Sequence, residues 1–83
     1  MTEDTKRKAN EVADALHARG HEAPAETLRA AATAERVEGA FLRGLRDACQ
    51  TVLTAIEAID PVSATMIDDL RLEVDKRLLQ HRE

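Results

Sequence analysis

The chain has no tryptophan, no tyrosine and a single phenylalanine, Phe41. Proteins that hold single-stranded nucleic acid stack its bases on aromatic side chains, and that platform is missing. Cys49 is the only cysteine, so no disulfide can close within the chain, which suits a reducing compartment. No apolar run approaches the ~20 residues that cross a bilayer, and the first residues lack the apolar segment of a secretion signal. A cytoplasmic location with no membrane contact is therefore the expectation. The 3 glycines and 2 prolines form no glycine-rich phosphate loop. Positive charge is short as well: 12 Lys and Arg against 16 Asp and Glu leave a net charge of −4, which opposes general affinity for a phosphate backbone.

What is present is a folding composition. With 34% charged and 43% hydrophobic residues over 83 positions, the chain makes one domain at most and is not of the disordered class. Nine of the 12 basic residues are arginine and alanine is abundant, a usage that points to a GC-rich bacterial or phage genome.

The most informative stretch runs from Ala25 to Ile59. Phe41, Leu45, Ala48, Val52, Ala55 and Ile59 recur at alternating steps of four and three, one stripe of a helix. Leu42, Cys49, Leu53 and Ile56 form a second row and widen the stripe into a face. A face that broad needs more than one neighbour to cover it. A lone chain of this length also has little core to spare, so a second copy or a partner is expected to complete the packing.

Three helices are predicted, over about 3–19, 25–59 and 64–81. The first has Thr2 as N-cap and Glu3 and Asp4 at the end where the helix dipole favours negative charge. Its (i, i+4) pairs are Glu3–Arg7, Asp4–Lys8 and Arg7–Glu11. Its apolar side is thin: Ala9, Val12, Ala13 and Leu16. The Lys6-Arg7-Lys8 run reads as a solvated face offset by the nearby acids. Gly20 supplies a left-handed position after that helix, and Pro24 suits the first turn of the next. As a DNA-binding helix-turn-helix the region fits poorly, because Arg19, His21 and Glu22 are polar where that motif packs apolar residues.

In the second helix Leu28 and Val37 stand among alanines, where the first helix can approach closely. Gly44 reads as a close crossing point, Gly39 as a bend, and Glu38 falls awkwardly on the apolar seam. At Ile59-Asp60-Pro61-Val62-Ser63 the helix ends. Asp60 could cap the third helix with Pro61 at its first position, but Ser63, with Val62 and Ile67 as a staple, leaves a longer turn and is preferred. The third helix carries Ile67, Leu70, Val74 and Leu78 inward, with Met66 beside them. Leu72 and Leu79 lie seven apart on the opposite side, and two leucines in register there mark a second contact surface.

No constellation carries catalysis. His17 and His21 have an (i, i+4) spacing used by metal ligands, but Gly20 interrupts the helix and no third ligand is offered. Cys49 lies on the apolar face, one turn from Leu45 and Leu53, without the exposed, electropositive setting of a reactive thiol. Asp68 and Asp69 diverge by ~100° on a helix and form no carboxylate pair. His81 suits a helix C-terminus. No catalytic, metal or cofactor residue is assigned.

The expectation is an all-α protein in which helices 2 and 3 form a long antiparallel hairpin and helix 1 folds back on the alanine-rich end of helix 2. Two such hairpins would pair as a homodimer into a four-helix bundle. The function expected is a small non-enzymatic adaptor or regulator that binds another protein, with Leu72, Leu79, Leu42 and Leu53 as partner or self-association residues. The alternative is a nucleic-acid-binding regulator that uses Arg29, Arg36 and Arg43, spaced seven apart opposite the apolar stripe.

Overall fold

The first helix, α1 (Glu3–Ala18), is held by the small apolar face read from its spacing: Ala9, Val12, Ala13 and Leu16 are buried, and Thr5 with them. Its expected cap, Thr2, lies outside the described residues, which in this computed structural model are 3–80. Gly20, at φ +87°, ends the helix by the left-handed route. The Gly20 N–H donates to the His17 carbonyl at 3.0 Å and the His21 N–H to the Leu16 carbonyl at 2.8 Å, so the last turn keeps its carbonyls satisfied. α2 (Glu22–Thr33) follows at once, with Pro24 in its first turn, where a missing N–H removes no helical bond.

The expected long second helix is two helices. After Thr33 the backbone is extended, with Ala34 at ψ 131° and Val37 at ψ 155°, and α3 (Glu38–Ile56) begins only beyond it. No glycine or proline interrupts Ala34–Val37. The reason is the phase of the apolar residues. At ~100° per residue, the buried set Ala25, Leu28 and Ala32 points roughly 120° away from Phe41, Leu42, Leu45, Cys49, Val52 and Ile56 on one straight rod. Only by breaking can both sets face the same core. Val37, at 78% exposed, is an N-cap residue outside that core, and Glu38 takes the first turn of α3, where the dipole favours it.

The face of α3 is the average of the two rows read from the sequence. Ala48 is half-buried, and Ala55 and Ile59 are exposed. α3 ends at Ile56, three residues earlier than expected, and the Asp60 N–H closes the turn on the Ile56 carbonyl at 2.9 Å. That early stop leaves room for the start that had been set aside: α4 (Pro61–Gln80) opens with Pro61, not Ala64, behind Asp60. Val62 is 59% exposed, so no staple to Ile67 forms. The expected end at His81 lies outside the described residues.

Each helix packs on the next in sequence, and α1 closes the ring on α4, while the diagonal pairs have no close backbone approach. Polar pairs fix the sense of the hairpins: Asp14 meets Arg29 between α1 and α2, and Arg19–Asp60 and Lys8–Glu73 bracket the α1–α4 seam. The result is an up-down-up-down bundle of 37 × 20 × 17 Å. Ile67, Leu70 and Val74 of α4 complete the core. The Lys6 ammonium lies 5.5 Å from the centroid of the Phe41 ring, where it covers the ring face. One chain thus supplies all four helices that two hairpins were expected to supply.

Candidate functional site

Asp60 starts α4 and does more than cap it. Its carboxylate, on a residue only 8% exposed, accepts the Ser63 N–H at 3.2 Å and the Ser63 hydroxyl at 2.6 Å. From the opposite hairpin Arg19 donates through Nε at 2.7 Å and Nη2 at 3.0 Å, and His21 Nε2 lies 2.9 Å away. A fork-on-fork arginine contact is among the stronger charge-assisted bonds. The Arg19 guanidinium, then Ser63 and His21, hold the Asp60 carboxyl well below the usual carboxylate range. This cluster ties the α1–α2 corner to the α3–α4 corner. It is not arranged for nucleophilic catalysis, because Ser63 is buried and bonds to the carboxylate rather than to the imidazole. His21, set aside above as a metal ligand, is a member of the joint, while His17 is exposed in the last turn of α1.

Cys49 is buried, and that burial pushes its thiol up to about 12, with Arg71 opposing and Asp75 adding a smaller rise. Such a thiol is no nucleophile at neutral pH. Arg71 lies along the α3-facing side of α4, bonded to Asp68 at 2.7 Å and Asp75 at 3.0 Å. Among the described residues no group of three His, Cys, Asp or Glu is placed to hold a metal ion. None of their helices is long and apolar enough to cross a membrane.

The arginine row dissolves with the long helix that was to carry it. Arg29 sits on α2 and pairs with Asp14, Arg36 lies in the extended linker, and Arg43 is on α3. The Arg36 guanidinium reaches over Gly44, where a Cβ would meet its Nη1 at 2.8 Å. Gly44 therefore accommodates a side chain from the linker, not the helix crossing expected there. On α1 the realised pairs are Arg7–Asp4 and Lys8–Glu73 in place of the (i, i+4) ladder.

The four leucines separate in the same way. Leu42 is 1% exposed and belongs to the core of its own chain, so it is corrected as a contact residue. Leu53 is partly buried against that core and lines a shallow groove with Ala64 and Thr65. Leu72 and Leu79 remain outside, 52% and 86% exposed, on the side of α4 turned away from Leu70 and Val74. Ile59 and Val62, at 68% and 59%, add exposed apolar surface at the α3–α4 corner.

Asp60 as a joint was missed. Its local half was visible, since Asp-Pro followed by Ser is a helix start, but its partners lie 39 and 41 residues away and leave no periodic trace. Comparison with protein-family models, with curated proteins and with solved structures finds no match to this chain.

Proposed function

We propose that the chain is a small, non-enzymatic protein–protein interaction module that recognises its partner through the outward face of α4. The observation that carries this reading is the exposure of Leu72 and Leu79, in heptad register, on a helix whose opposite face already fills the core. Scattered exposed leucines need no explanation, but two on one stripe offer a helix-packing surface. A second copy of the chain is the simplest occupant. A symmetric pair of copies buries four leucines, two from each, which contributes ~6–12 kcal/mol against an association cost of at least ~4 kcal/mol. Self-association through them alone is thus weak, with a dissociation constant on the order of 0.1–1 mM. A partner protein that also covers Ile59 or Val62 would bind more tightly. The nucleic-acid alternative relied on Arg29, Arg36 and Arg43 sharing one helix face, and they lie on α2, the linker and α3.

The test is a paired capture. Wild-type chain and the Leu72→Glu/Leu79→Glu double variant are immobilised and exposed to a lysate of the source cell. Proteins retained by the wild type should be lost from the variant while its helical circular dichroism is unchanged. Equal retention by both would overturn the reading.

A further inference from the structure

One rung of the α1–α4 seam carries like charges. Opposite charges meet at Arg19–Asp60 near one end and at Lys8–Glu73 toward the other. Between them Glu11 of α1 and Asp69 of α4 line one groove of about 240 Å³, floored by Val12 and Met66. Among the described residues neither carboxylate has an ion-pair or hydrogen-bond partner, and both are exposed. Lys8, at the rim of the same groove, is already held by Glu73 at 3.3 Å. Two exposed carboxylates of one sign thus flank an apolar floor in which Val12 is buried and Met66 stays partly open.

We propose that this groove receives an arginine from a basic helical segment of a partner protein. The alkyl stem of an arginine is apolar and covers Val12 and Met66, while its planar head reaches carboxylates on both walls. Few other occupants satisfy both features. A metal ion would find two carboxylates and no third ligand. A phosphate backbone would be repelled by the same two groups. The inference rests on the interaction-module reading but uses a patch distinct from Leu72 and Leu79, so the two can fail separately.

The probe is a synthetic alanine-based helix of about 18 residues, long enough to hold helical structure in water, with one arginine flanked by leucines on the same face. Titrated into the full chain, it should shift the methyl resonances of Val12 and Met66, saturably and less so as salt is added. Asp69→Lys supplies the missing cation from within. That variant, and Glu11→Lys as a second one, should melt no lower than wild type yet bind the helix at least ~tenfold more weakly. Replacing the arginine of the peptide with glutamine should have the same effect. Absence of shifts at millimolar peptide, or equal binding by both charge-reversed chains, would overturn the proposal. Shifts confined to Leu72 and Leu79 would overturn it too, while leaving the outward face of α4 intact as a recognition surface.

Discussion

At Asp60 five hydrogen bonds from three residues converge on one carboxylate. Asp60→Asn keeps the size and part of the cap but leaves Arg19 without its counter-charge. The variant should melt about 5 °C or more below wild type at pH 7, as thermal denaturation would read. The sign of the pH dependence follows from the lowered carboxyl. Unfolded, Asp60 gains a proton near pH 4, and folded it does not, so its contribution is complete above that range and is lost as pH falls. Denaturant titrations at pH 7 and near pH 3 should therefore show the gap between wild type and Asp60→Asn narrowing in acid. A constant gap would mean that the carboxyl is not held low.

Two glycines show what decides the sign of an alanine substitution. Gly20 has open space around it but sits at φ +87°, so Gly20→Ala should lose about 1 kcal/mol through backbone strain. Gly44 is in a helix interior and meets only the far end of the Arg36 side chain. Gly44→Ala should therefore gain up to ~1 kcal/mol as Arg36 swings aside. Urea unfolding of both variants would check the opposite signs.

α4 is apolar on two sides, and only one of them belongs to the fold. Leu70→Ala, inside the bundle, should lose ~2–5 kcal/mol of stability. Leu72→Ala, two residues on, should stay within about 0.5 kcal/mol in dilute solution. Equal losses would place Leu72 inside the fold.

Helix-scale features were legible in proportion to how local their causes are. The inward faces of α1 and α4 could be read from spacing, as could the exposed leucines, because a buried stripe imposes a period. The break at Ala34–Val37 was not found by looking for glycine and proline. Its trace was the misfit of Glu38 on the seam and the drift of the apolar residues across Ala34, both consequences of two faces out of phase. The start of α4 was misjudged because α3 was carried on to Ile59, a residue that the structure leaves in solvent. The Asp60 joint and the Glu11–Asp69 groove arise where α1 meets α4, and side-chain pairing across such a distance in sequence has no local signature.

At the scale of the whole molecule, one chain closes its own core. The radius of gyration of 11.8 Å matches the ~12 Å of a folded domain this long. Phe41, Leu42, Leu45 and Cys49, expected to outgrow a single copy, are all covered by it. Any association therefore adds to a finished bundle instead of completing it, and so should dissociate on dilution without unfolding. Among the described residues, the large apolar side chains left exposed are Leu72 and Leu79 on α4, Ile59 and Val62 at the α3–α4 corner, and Val37 in the linker.

The central claim is that the outward leucines of α4 are made for contact, and sedimentation equilibrium tests it most directly. Measured from micromolar to millimolar concentration, the wild-type mass should rise from 9.2 kDa towards twice that value. The Leu72→Glu/Leu79→Glu variant should stay at one chain throughout with the same helical content. A wild-type chain that remains single at millimolar concentration, or a double variant that associates equally well, would contradict the account.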